Sequence, residues 1–262
     1  MMIKSGFFFG LFAALGSWVV LAFPGVVFAG PDATALLKAA LHNWRGNSSY
    51  TEVAMTIHRP DWQRTLAMVA WTRSETDSLV RFTQPASDAG NATLKLGQAL
   101  WLFNPKLNQV IKLPFSMMAQ NWMGSDFSYN DLAKSDSVVT DYTHSPGSAE
   151  EKNGHKIYTV VCIPKPEAPV VWGKQVVKIR DDHVLLEETF YDQDMQPVRR
   201  LETREIAPLG GRPYPVLMRM DMLNKPGEWT QIRYTKGVFD LDLPGYLFTL
   251  SNLRNPRPWS AP

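Results

Sequence analysis

The sequence predicts a mainly β fold with a few helices: a highly curved antiparallel sheet of about eleven strands forming an incomplete, half-open barrel. Three observations lead there. Short runs of apolar and polar alternation recur at roughly ten-residue spacing, each bounded by Gly, Pro, Asn or Asp. Several runs are apolar on both sides, so both sheet faces must be covered or one must line a cavity. Residues 62–72 are one example, with Leu66, Met68 and Ala70 on one side and Ala67, Val69 and Trp71 on the other. Helical periodicity is confined to a leading helix and to residues 115–133.

In chain order, residues 1–29 read as a signal peptide. Lys4 precedes the apolar run 6–20, and Val27 and Ala29 place small residues at the −3 and −1 positions of a cleavage site. The alternative is an uncleaved anchor, but Pro24 and Gly25 break the run. No cysteine lies near the cleavage point to carry a lipid, so the mature protein is expected to be soluble and periplasmic. Residues 31–44 form an N-terminal helix: Asp32 or Thr34 can cap it, and Leu36, Leu37, Ala40, Leu41 and Trp44 share a face. Strands follow at 50–59, 62–72, 79–83, 92–96, 98–103 and 109–113. In the fifth of these Trp101 and Phe103 share one side, Leu100 and Leu102 the other.

The stretch 115–133 interrupts the β pattern. Phe115, Met118, Ala119, Trp122 and Met123 fall on one face of a helix, which Gly124 then stops. Ser128 and Asp131 make a capping box that starts a second short helix at Tyr129. Beyond it, strands are expected at 138–142, 156–163, 175–180, 184–191, 198–206, 216–223 and 230–239, with 145–154 turn-rich. One domain therefore spans 30–254, and residues 255–262 are expected to be a disordered tail.

The chemistry is sparse. Loss of the leader removes one of 27 basic residues and none of 25 acidic ones, leaving a net charge of +1, which makes no case for nucleic acid. The single cysteine, Cys162, cannot form an internal disulfide. Five scattered histidines lack metal-binding spacing, and no nucleophile elbow or phosphate loop is present. The acidic pairs Asp181-Asp182, Glu187-Glu188 and Asp192/Asp194 flank strands; they could in principle provide an acid and a base, and edge charge that discourages aggregation explains them as well. The expectation is a non-enzyme with no metal and no cofactor.

Nine Trp and eleven Met are the excess, and a flexible, polarisable side chain such as Met fits ligands of variable shape. Candidate cavity and lid residues are Trp71, Trp101, Phe103, Phe115, Met118, Trp122, Met123 and Phe127, with Gly124 as hinge and Ser128 and Asp131 as caps.

The run Trp122-Met123-Gly124-Ser125-Asp126-Phe127-Ser128-Tyr129-Asn130-Asp131-Leu132 resembles the signature of LolA-like, outer-membrane lipoprotein-sorting proteins. Leu100 to Phe103 before Lys112-Leu113-Pro114 fits the pattern. So do Tyr214-Pro215 with Met218 and Asp221, and Leu243-Pro244 before Phe248-Thr249. The resemblance covers nearly all of the mature chain. It implies an eleven-stranded incomplete barrel whose hydrophobic face is lidded by helices. It also implies a periplasmic carrier of lipoprotein or lipid acyl chains, monomeric, with an inner-membrane transporter and an outer-membrane acceptor as partners. The alternative is a non-catalytic, lipid-sensing accessory subunit of an envelope export or efflux complex.

Overall fold

The computed structural model describes residues 31–134 and 136–261, and the expected signal peptide lies outside them. Helix α1 (Ala33–Arg45) opens the chain, with the Asp32 carboxylate accepting the Ala35 amide at 2.6 Å as its cap. Six strands follow as a meander: β1 (Ser48–Arg59), β2 (Trp62–Arg73), β3 (Asp77–Gln84), β4 (Ala92–Leu96), β5 (Ala99–Asn104) and β6 (Gln109–Lys112). The interrupting segment then carries one-turn 3-10 helices at Phe115–Met117 and Trp122–Gly124, followed by α2 (Tyr129–Ala133) and α3 (Ser137–Thr140). A second meander comprises β7 (Tyr142–Lys152), β8 (His155–Pro164), β9 (Lys174–Arg180), β10 (Leu185–Tyr191), β11 (Pro197–Leu209), β12 (Arg212–Met222) and β13 (Trp229–Phe239). A 3-10 turn at Gly245–Phe248 and α4 (Leu250–Arg254) end the ordered elements.

All thirteen strands form one antiparallel sheet. Its order is β6-β5-β4-β3-β2-β1-β13-β12-β11-β10-β9-β8-β7, so β1 and β13 join the meanders at the centre while β6 and β7 are unpaired edges. The sheet is curved and does not close. β6 and β7 are consecutive in the chain, so the segment between them spans from one free edge to the other.

Each face is covered, as the double-sided apolar strands require. On one face, Tyr50, Trp71, Leu79, Leu94 and Phe103 pack against Leu243, Leu247, Phe248 and Leu253 of the C-terminal segment. On the other, α1 lays Leu36, Leu37 and Ala40 against Val177, Leu201 and Met218 of the second meander. Trp122 from the interrupting segment packs there with Met55, Leu66 and Phe82 of the first.

Three local expectations are corrected. Residues 138–142 are not a strand: they hold α3, and β7 runs instead through the turn-rich 145–154 region. An exposed edge strand has no buried face to impose alternation, and it tolerates Pro146 because its outer N–H groups need no partner. The amphipathic helix over 115–123 is replaced by hairpin-like bonding, in which Trp122 N donates to Phe127 O and Asn130 N to Met118 O. Met123 sits at φ 54°, which ends any helix there. The tail is not loose at Trp259, whose ring lies 5.0 Å from Tyr50 and 6.0 Å from Trp71.

Candidate functional site: a lidded apolar cavity

Between α1, the interrupting segment and the sheet lies a cavity of about 330 Å³. This is at the small end of the range usual for ligand sites. From α1 it is walled by Leu37, Ala40, Leu41 and Trp44, and from the sheet by Val53, Met68, Val80, Val177 and Met218. Trp122, Phe127 and Leu132 close it from above. The α1 side chains reach it because their helical spacing puts them on one face; the strand residues do so because they alternate.

The lid is held by polar residues beneath its aromatic ones. The Asp126 carboxylate accepts from Arg59 at 3.0 and 3.2 Å and from the Thr230 hydroxyl at 2.6 Å, tying the lid to β1 and β13. Ser128 and Asp131 form the expected reciprocal capping box at the start of α2. The same Asp131 carboxylate takes both terminal nitrogens of Arg199 on β11, at 2.6 and 2.8 Å. The Arg199 guanidinium lies 4.3 Å from the Phe190 ring and 4.5 Å from Trp172. Trp122 donates its indole N–H to Thr93 at 3.2 Å and packs 5.4 Å from Phe82.

Four acids line the chamber, Glu75, Asp77, Asp131 and Glu188, and of these Glu188 stands on the apolar wall of the second meander. Glu188 lines the cavity, and enclosure by protein pushes its carboxyl up to about 7, although Arg199 opposes that shift. Its chain neighbour Glu187 points the other way and pairs with Lys178 at 3.2 Å. The reading of this pair as edge charge therefore fails for Glu188, because β10 is an interior strand. The other acidic pairs have structural roles. Asp182 is bonded twice by Arg180 at 2.7 Å, and Asp192 accepts the Asp194 and Gln196 amides in a turn. His155, Asp181 and Asp182 converge on a surface turn close enough to offer ligand atoms to one cation. Arg180 and the Lys156 amide already use those carboxylates, however. Burial pushes the Cys162 thiol up to about 12, so it is no nucleophile at neutral pH.

Three solved structures share the fold. A DUF1329 family protein from Desulfovibrio piger aligns with a TM-score of 0.74 and 23% identity, covering 84% of this chain and 98% of that one. A domain from Vibrio parahaemolyticus named for outer membrane lipoprotein sorting gives 0.73 and 20%, covering 85% and 98%. A LolA superfamily protein from Nitrosomonas europaea gives 0.70 and 22%, covering 84% and 98%. A family model described as uncharacterised-protein-like matches residues 74–255, more than half of the chain. The chain belongs to that family, and its fold is LolA-like. No curated protein matches the sequence.

Within this LolA-like fold the sequence candidates separate. Trp122 and Phe127 line the cavity. Met123 packs partly buried beside Trp122. Met118 is buried with Leu100, Leu113 and Ala133 behind the lid. Phe115 is 81% exposed. Trp71, Trp101 and Phe103 lie on the opposite sheet face, under the C-terminal segment. Gly124 adopts φ 78°, as a chain reversal needs. Sequence reasoning missed Arg199, Arg59 and Glu188. The available signal was a charged residue at a cavity-facing strand position, Arg199 sharing a side with Leu201 and Glu188 with Phe190. Among the described residues no helix is long and apolar enough to cross a membrane.

Proposed function

We propose that this protein is a periplasmic carrier that holds acyl chains of lipoproteins or lipids in its cavity and moves them towards the outer membrane. No chemical step is involved. The observation that carries this reading is the apolar chamber roofed by Trp122, Phe127 and Leu132, with the roof fastened by polar residues set outside the apolar contacts. Each methylene moved from water into such a chamber contributes about 0.8 kcal/mol, so a chain of ordinary length is stably held yet can pass to a competing apolar surface. The leader expected at residues 1–29 supports export. A donor transporter in the inner membrane and an acceptor at the outer membrane are the partners this role calls for.

The test is lipid analysis of the purified protein by native mass spectrometry, with uptake of a fluorescent fatty-chain probe measured alongside. Bound acyl lipid is the expected finding, and a chamber that stays empty and takes up no probe counts against the role. Ala70→Trp projects bulk into the cavity from its β2 wall. It should weaken uptake about tenfold or more while the protein still melts cooperatively.

A further inference from the structure

Strand register puts Glu188 where an apolar residue belongs. Directly across from it are Val177 on β9 and Leu201 on β11. The same row continues to Val160 on β8 and Met220 on β12, and all four of these residues are buried. Above the row sits the apolar face of α1. The carboxyl opens into the cavity, and among the described residues no hydrogen bond or ion pair reaches it.

The charged and titratable groups around it leave it uncompensated. Arg199 lies one strand away, but its two terminal nitrogens are engaged by the Asp131 carboxylate on α2. At Glu188 the Arg199 attraction is opposed by Asp131, and what remains does not offset the cost of burial. Tyr142 on β7 is pushed up to about 12 by burial and stays neutral, as does Cys162 on β8. Gln175 on β9 is neutral at any pH. Further along the cavity wall, Lys95 donates to the Glu75 carbonyl and Arg45 pairs with Asp136. A carboxylate without a hydrogen-bond or ion-pair partner on an apolar wall is costly when ionised, and an occupant that supplies the missing partner removes that cost.

We infer that Glu188 reads the polar head of the cavity's occupant, favouring amphiphiles whose head is cationic or donates N–H or O–H bonds and rejecting anionic heads such as a fatty-acid carboxylate. This rests on the carrier reading above and narrows its cargo. An anionic head would put a second negative charge beside Glu188 at short range and low dielectric. An ammonium, amide or hydroxyl head donates to the carboxylate instead.

The experiment displaces N-phenyl-naphthylamine, a neutral dye that fluoresces in apolar cavities, with dodecylamine or dodecanoate. At about pH 8 the wild-type protein should release dye to dodecylamine at a concentration about tenfold lower than to dodecanoate. Glu188→Gln should bring the two within about threefold, each read relative to that variant's own dye affinity. In the wild-type protein, dodecylamine should also weaken as pH falls through about 7, since the amine stays charged while Glu188 takes up a proton. This second measurement needs no variant. An E188Q ratio equal to that of the wild type, or a wild-type preference for dodecanoate, overturns the inference. Dye binding with no head preference overturns it while leaving the carrier reading intact; no uptake of dye or either amphiphile overturns both.

Discussion

Asp131 serves two partners with one carboxylate. It completes the capping box with Ser128 and holds Arg199, whose side chain is only 5% exposed. Asp131→Ala removes both contacts and leaves a buried guanidinium without its counter-ion. The expected loss is about 3–5 kcal/mol in urea denaturation. The double variant Asp131→Leu with Arg199→Met should lose less than Asp131→Ala alone, because no charge is then stranded. Glu188 has the opposite signature. Its carboxyl is raised from 4.5 to about 7, so the folded protein binds a proton that the unfolded chain has released in that interval. Its contribution is fully present below about pH 4.5 and is lost as pH rises through about 7, by an amount on the order of 3 kcal/mol. Thermal melts at about pH 5 and pH 8 should show this slope in the wild-type protein, and E188Q should flatten it. At this scale the sequence was legible only where partners are close in the chain. Ser128 and Asp131 declare themselves by spacing, whereas Arg199 meets Asp131 from 68 positions away and looks like any strand arginine.

Among the elements, the lid shows how a correct periodicity can attach to the wrong backbone. Met118 and Trp122 are buried, as their spacing implies, but they get there through 3-10 turns and cross-turn hydrogen bonds. Phe115, one turn earlier on the supposed helix face, is exposed. Pairing between Trp122 N and Phe127 O and the bridge from Asn121 to Ser128 use the amides a helix would need. Gly124 sits at φ 78° in that reversal. A Cβ there would meet nothing within 4 Å, so Gly124→Ala tests the backbone alone. It should cost about 1 kcal/mol, felt as faster hydrogen exchange of lid amides with little change at β1 or β2. Unaltered lid protection would mean the φ 78° conformation is not needed. The strands with a buried face, β1 to β5 and β8 to β13, were legible from alternation. β7 was not, because most of its residues face water on both sides.

For the whole molecule, the sheet is served by two unrelated covers. α1 and the lid enclose the cavity, while residues from Leu243 onward fill the opposite face of the first meander. That second cover ends in Trp259, wedged beside Tyr50 and Trp71. Trp259→Ala should lower stability by about 1–2 kcal/mol in thermal melts and leave probe uptake untouched, since its contacts lie across the sheet from the cavity. Reduced uptake would instead couple the two faces. The fold class was readable because double-sided apolar strands demand two covers. Among the covers only α1 announced itself by periodicity; the lid backbone and the C-terminal segment did not, since neither a 3-10 turn nor a packed terminus leaves a periodic mark.

The two edge strands, β6 and β7, follow one another in the chain with the lid strung between them. The roof is therefore less a door on a single hinge than a strap tied to both rims of an open hoop. Any spreading of the rims draws the strap taut over the chamber, and any narrowing gives it slack. On the carrier role proposed above, an occupant of different girth would then be felt as tension along the lid, away from the cavity itself.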